Sequence, residues 1–116
     1  MNFRKLDVYQ KAVLFLPMAA EIADALPPKY SGLADQIRRA SVSIPMNIAE
    51  GSGKRTAADG RRYYAIARGS AMECGAVIDA CLALKLIQEG LGHDADEVLG
   101  AVVQMLSKMC LEPSRE

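Results

Sequence analysis

The chain is predicted to be all-α, an antiparallel up-down-up-down four-helix bundle, and three observations lead there. Apolar residues recur at three- and four-residue steps in four separate stretches, the spacing of helices with one buried face. Proline and glycine clusters, Leu26-Pro27-Pro28, Gly51-Ser52-Gly53 and Gly90-Leu91-Gly92, fall between those stretches. Hydrophobic residues make up 51% of the 116 but aromatic ones only 5%, with no Trp. A core built from small and aliphatic side chains suits closely packed helices.

The first helix is expected over about Asp7 to Ala25. Leu6, Tyr9, Val13, Leu16, Ala20 and Ala23 form one stripe, and Val8, Phe15 and Ile22 a second, seven residues apart. Two apolar stripes imply two neighbours, the bundle core and a subunit contact. Pro17 predicts a kink or local unwinding near Val13. The pair Pro27-Pro28 ends the helix, because the residue before a proline avoids helical dihedrals.

Ser31 is expected to cap the second helix, with Gly32 in the link. Ile37, Ala40, Ile44 and Ile48 give it an inward face. Pro45 cannot donate to the carbonyl of Ser41 and predicts another kink, softened by the hydroxyls of Ser41 and Ser43. Gly51 and Gly53 are expected to stop the helix in a left-handed C-cap.

Thr56 with Asp59 three residues on resembles a capping box and opens a third helix, so the two helices form an antiparallel hairpin. That helix is expected over about Ala57 to Gln88, with Tyr63, Ala67, Ser70, Cys74, Val77, Cys81 and Leu84 as its seam. Gly69, Ser70, Ala71, Gly75 and Ala76 make its middle thin enough for a second backbone to approach. Gly90 and Gly92 close it. Asp94 and Glu97 open a fourth helix whose stripe is Val98, Leu99, Val102, Val103, Leu106, Met109 and Cys110. Pro113 marks a frayed tail.

At this length one domain is expected, residues 1–116, burying roughly two-thirds of its unfolded surface. The longest uncharged apolar run, Ala12 to Ala20, contains Pro17 and falls far short of the ~18 residues of a membrane span. MNFRKLD has no apolar signal core, which makes the cytoplasm the expected location. Three cysteines, an odd number, fit that compartment as small core hydrophobes. Cys74 and Cys81 as metal ligands is the sharper alternative, but seven helical residues separate them by roughly 10 Å, too far to share one zinc without other ligands. No cofactor is expected.

The formal net charge is zero, yet unevenly spread. Residues 36–68 hold seven basic side chains, Arg38, Arg39, Lys54, Arg55, Arg61, Arg62 and Arg68, against two acidic, Glu50 and Asp59. Residues 69–116 hold eight acidic and three basic. Such asymmetry suits a polyanion-facing surface, or complementary faces in an assembly.

Gln36-Ile37-Arg38-Arg39-Ala40, Ser43-Ile44, Asn47-Ile48-Ala49-Glu50-Gly51, Ala67-Arg68-Gly69-Ser70 and Glu73, with the Phe3 to Ala12 opening, carry a family resemblance over nearly the whole chain. The chain resembles the 23S rRNA intervening-sequence proteins, also called four helix bundle proteins. The resemblance implies a left-handed bundle assembled into a ring, usually a pentamer. It also implies kinship with accessory variability proteins of diversity-generating retroelements, which bind nucleic acid and a reverse transcriptase. A nucleic-acid-processing protein is thus an expected partner. The family pattern has a larger, often aromatic residue where this chain has Gly60, a departure that costs roughly 1 kcal/mol relative to alanine in a helix.

Gly51-Ser52-Gly53-Lys54-Arg55-Thr56 invites a phosphate-loop reading, but the spacing, the residue after the lysine and the missing strand all fail the Walker pattern. A weaker version survives, in which the first amides of the third helix, with Lys54 and Arg55, hold a backbone phosphate while Asp59 competes for the same positive end. His93 is the sole histidine and reads as an exposed loop residue. Asn47, Glu50, Ser70 and Glu73 are polar positions on otherwise apolar helices. A carboxylate pair could do acid–base work, but no nucleophile accompanies it. Folding the hairpin about residue 53 sets Asn47 near Gly60 and Arg39 near Ala67 and Arg68. On that register Glu73 pairs with Arg38, Arg39 or Arg68, while Asn47 and Glu50 hold turn amides. Arg61, Arg62 and Arg68 with Tyr63 and Tyr64 supply charge and stacking rings, the ingredients of non-specific nucleic-acid binding. The expected protein is a non-enzymatic homo-oligomer binding RNA or DNA through these residues. A scaffold binding only protein is the alternative, and an RNA-processing hydrolase, lacking any metal constellation, the third reading.

Overall fold

The computed structural model describes residues 1–111; Pro113, expected to mark a frayed tail, lies outside them. Four helices account for most of the described chain: α1 Asp7–Ala25, α2 Ser31–Ser52, α3 Ala57–Ala83 and α4 Glu89–Cys110. Single-turn 3-10 segments occupy Asn2–Lys5 and Pro28–Tyr30, and no strand occurs among the described residues. Each helix packs on its successor and α4 returns onto α1, giving a four-helix bundle with one shared core.

The core follows the composition. Phe15, Ile22, Ile37, Ile44, Ile48, Ile78 and Leu106 are its largest fully buried side chains, and Ala12, Ala19, Ala67, Ala71 and Ala95 let the helices close around them. Each buried isoleucine or leucine contributes roughly 1.5–3 kcal/mol. In α1 the core takes the stripe of Val8, Phe15 and Ile22, with Ala12 and Ala19 between them. The other stripe is divided: Ala23 is buried and Leu6 and Tyr9 pack on the edge of the core, whereas Leu16 is half-buried, Ala20 exposed and Val13 40% exposed.

Several boundaries differ from expectation, each for a local reason. Of the kink or local unwinding expected near Val13, the unwinding does not occur: α1 continues as helix through Pro17, whose exposed position leaves the Val13 carbonyl open to water. Ser31 is not a cap. The Pro28–Tyr30 turn runs directly into α2, so Ser31 already has helical dihedrals and Tyr30 stands at the cap without a side-chain bond. Gly51 does not stop α2 but lies inside it, buried, and Gly53 caps the helix at φ −90°, so no left-handed glycine is used.

The cap expected at Thr56 is present, its Oγ1 accepting from the Asp59 amide at 3.1 Å. At the other end α3 stops five residues earlier than expected. Lys85 takes the left-handed conformation at φ 58°. The Lys85 amide then bonds the Leu82 carbonyl and the Leu86 amide the Cys81 carbonyl, both hydrogen bonds of a Schellman termination. Gly90 and Gly92 therefore do not close α3, and Asp94 does not open α4. Helix α4 begins at Glu89, with Gln88 at its cap and Gly92 buried against Leu82. His93 accordingly sits in the first turns of α4, exposed, rather than in a loop.

Of the seam expected on α3, Ala67, Cys74, Val77 and Cys81 are buried, joined by Ala71 and Ile78, whereas Leu84 is 49% exposed beyond the helix end. Arg68 and Ser107 bridge α3 to α4 at 2.7 Å, Nε donating. No described helix is long and apolar enough to cross a membrane.

Candidate nucleic-acid interface

The α2–α3 hairpin is built on a glycine contact. Gly51 and Gly60 face each other, and a Cβ added at Gly60 would lie 3.0 Å from the Gly51 carbonyl oxygen. The Tyr64 ring covers the pair, because a Cβ at Gly51 would lie 2.7 Å from its Cε1. Burial of that ring pushes the Tyr64 hydroxyl pKa up. Gly60 is thus the residue that permits close approach, and a larger side chain there would collide with backbone. Sequence reasoning passed over this contact. Its signal was a glycine inside a helix, which calls for a packing reason.

This approach places four basic side chains at one end of the bundle. Lys54 and Arg55 come from the turn, Arg61 and Arg62 from the first turns of α3. Lys54 Nζ lies 3.3 Å from Glu50 Oε2 and 4.7 Å over the Tyr63 ring. The hydrogen bond to Glu50 raises the Lys54 pKa above its ordinary value and keeps the ammonium charged. Arg62 stands over the other side of that neighbourhood, 5.8 Å from the Tyr63 centroid and 3.7 Å from Asp59. Asp59 therefore has a cation beside it at the helix start, which weakens its competition for an incoming anion. Arg55 is exposed and makes no ion pair with a described residue, while Arg61 is half-buried. A shallow groove of about 330 Å³ runs between them, lined by Gly51, Thr56, Gly60 and Tyr64 and closed by Met109 and Leu111 from the end of α4. The contribution of α4 had no sequence signal, since it depends on where two distant helix ends meet.

The remaining basic residues are elsewhere. Arg38 is tied to Asp24 at 2.9 Å and Asp35 at 3.7 Å on the α1–α2 side. Arg39 is exposed on α2, fifteen residues and roughly 22 Å of helix from Lys54. Arg68 is half-buried against Ser107.

The polar motif also departs from expectation. Glu73 pairs with none of Arg38, Arg39 or Arg68; its Oε2 accepts from Gln36 Nε2 at 3.1 Å. Asn47 holds no turn amide. Its Nδ2 donates to the Ser43 carbonyl at 2.8 Å and to Ser43 Oγ at 3.0 Å, and Ser43 Oγ meets Ser70 Oγ at 2.8 Å across the two helices. Glu50 binds Lys54 rather than a turn amide. The cause is register. Gly51 opposite Gly60 and Ser43 opposite Ser70 centre the hairpin near residues 55–56, not 53, so a slightly different face of each helix meets the other. Ser41 does behave as expected, donating to the Arg38 carbonyl at 3.2 Å. Cys74 and Cys81 are buried free thiols, Cys110 a half-buried one. Burial, reinforced by Glu73, pushes the Cys74 pKa up to about 12. No cluster of three or more metal-ligating side chains occurs among the described residues.

Four helices packed on one shared core of small and aliphatic side chains make this an all-α four-helix bundle protein. The chain belongs to the 23S rRNA-intervening sequence protein family, which it matches over residues 4–108. Its fold is similar to a crystal structure of a protein of unknown function from the S23 ribosomal protein family of Bacteroides thetaiotaomicron. The two superpose with a TM-score of 0.82 at 19% identity, covering 90% of this chain and 99% of that one. No curated protein matches the chain.

Proposed function

We propose that this chain is a non-enzymatic, homo-oligomeric binding protein, assembled as a pentameric ring. It holds RNA or DNA without sequence preference through the hairpin end. The observation that carries the reading is the convergence of Lys54, Arg55, Arg61 and Arg62 beside Tyr63 and Tyr64 at one end of the bundle. Cations neutralise phosphates and rings stack on bases, neither of which reads sequence. The family resemblance supports the ring, and so do Val42, Met46, Ile66 and Met72, each about half exposed or more on one small bundle. Repetition around a ring multiplies weak single contacts by valency. A nucleic-acid-processing protein is the partner this reading expects, and the cytoplasm its place.

Fluorescence anisotropy with single-stranded RNA and duplex DNA tests it. Affinity for both should fall steeply with salt, and Arg55→Glu with Arg62→Glu should abolish binding while the sedimentation mass stays unchanged. Absence of binding at low salt removes the nucleic-acid reading. A sedimentation mass of one 12.5 kDa chain at micromolar concentration removes the ring. If the double reversal dissolves the assembly and leaves residual binding untouched, the cluster is an interface and the protein-only scaffold stands.

A further inference from the structure

The groove between α3 and α4 is apolar in its centre and acidic at one end. Met72, Ala76, Leu99 and Val103 form its walls, and Gly75 and Gly100 keep it open; a Cβ at Gly100 would meet nothing within 4 Å. Asp79 and Asp96 lie at the same end, because α3 and α4 pass each other with Gly75 beside Leu99 and Leu82 beside Gly92. Both carboxylates are exposed and neither makes an ion pair with a described residue. Seven residues separate Met72 from Asp79 and seven separate Val103 from Asp96, roughly 10.5 Å along each helix.

The outward face of α2 is the complement. Arg39, Val42 and Met46 follow at three- and four-residue steps and so share one face. Val42, 47% exposed, and Met46, 62%, form the α2 rim of a shallow hollow whose other side is Tyr9, Val13 and Leu16 of α1. Arg38 is committed to Asp24 and Asp35, which leaves Arg39 as the exposed guanidinium without an ion pair to a described residue. Arg39 and Met46 are also seven residues apart, the same roughly 10.5 Å.

We propose that the α3–α4 groove of one copy of this chain receives the α2 ridge of a second copy, with Met46 and Val42 against the apolar centre and Arg39 between Asp79 and Asp96. Charge, polarity and spacing agree along the whole contact. Arg39 of the basic stretch 36–68 and Asp79 and Asp96 of the acidic stretch 69–116 then face each other across one repeated interface. Ridge and groove are different surfaces of the molecule, so the contact is head-to-tail and each copy offers a free groove to the next. Such a contact closes into a ring where its rotation permits. The inference rests on the homo-oligomeric reading above and says which surfaces make the contact.

Sedimentation velocity on the full chain tests it. Arg39→Glu alone, or Asp79→Lys with Asp96→Lys, should reduce the assembly to single chains, and the three changes together should restore the wild-type mass. Gly100→Leu should also dissolve the assembly with helical circular dichroism unchanged, because the new side chain enters space that its own chain leaves open. If wild type is oligomeric and these variants keep its mass, or if the combined reversal fails to restore what the separate ones destroy, the interface lies elsewhere and the oligomer reading survives. A monomeric wild type overturns both.

Discussion

Gly51 and Gly60 meet backbone to backbone where α2 and α3 converge, with the Tyr64 ring closed over the contact. Everything at the hairpin end depends on this approach, since it sets the separation of the turn that carries Lys54 and Arg55 from the helix that carries Arg61 and Arg62.

Gly51→Ala is therefore expected to destabilise the chain by about 1–3 kcal/mol through overpacking, although alanine gains roughly 1 kcal/mol in helix propensity. Gly60→Ala should act in the same direction, because the new Cβ would press on a carbonyl oxygen that cannot rotate away. Gly32→Ala, where an added Cβ meets nothing within 4 Å, is the control and should be neutral or slightly stabilising. Urea unfolding of the three variants reads the difference. Equal stability at positions 32 and 51 would mean that the hairpin relaxes freely.

Lys85 is the one described non-glycine residue with positive φ, at 58°. A left-handed conformation costs an L residue roughly 1–2 kcal/mol, part of which glycine returns as lost chain entropy. Lys85→Gly is expected to raise stability by up to about 1 kcal/mol, read as a shift of the denaturant midpoint at unchanged slope.

The same residue explains much of what was and was not legible in the sequence. Helix α1 and the Thr56 cap were readable because their signals are chemical and local: a proline pair at one end, a hydroxyl three residues before an amide at the other. The end of α3 was not, because a lysine occupies the position where glycine usually marks the stop, while Gly90 and Gly92 sit inside α4, Gly92 packed against Leu82 and Gly90 exposed. The cluster of Lys54, Arg55, Arg61 and Arg62 was legible as a run of charge around a turn. The partners of Glu73, Asn47 and Arg38 were not. They depend on helix phase across the bundle, and a shift of two or three residues in the hairpin centre redirects every such side chain.

Cys74 makes the fold sensitive to alkali. Its thiol titrates at about 12 in the folded chain against an ordinary 9.0. Below pH 9 both states hold the proton and stability is intact. As pH rises from 9 towards 12 the unfolded chain releases the proton first, so stability falls by roughly 1.4 kcal/mol per pH unit from this group. Cys74→Ala should lose less stability between pH 8 and pH 10 than wild type does, whatever its absolute stability. Parallel slopes for the two proteins would show that Cys74 ionises without opening the core.

Glu50 and Lys54 set how much charge the hairpin end offers. The Glu50 carboxylate accepts from Lys54 at 3.3 Å and is the main reason the lysine pKa is raised. Glu50→Gln removes one negative charge from the cluster, leaves an oxygen able to accept the same hydrogen bond, and should lower the Lys54 pKa towards 10.5. At neutral pH the ammonium stays protonated in either case. On the proposed reading the variant frees Lys54 to contact phosphate, so affinity for RNA and DNA should rise and the plot of log affinity against log salt should steepen by roughly one contact's worth of counterion release. A fall in affinity would instead assign Glu50 the task of aiming Lys54 across the Tyr63 ring. Unchanged affinity and slope, with the pKa shift observed by NMR, would place Lys54 outside the contact surface and leave Arg55, Arg61 and Arg62 to carry it.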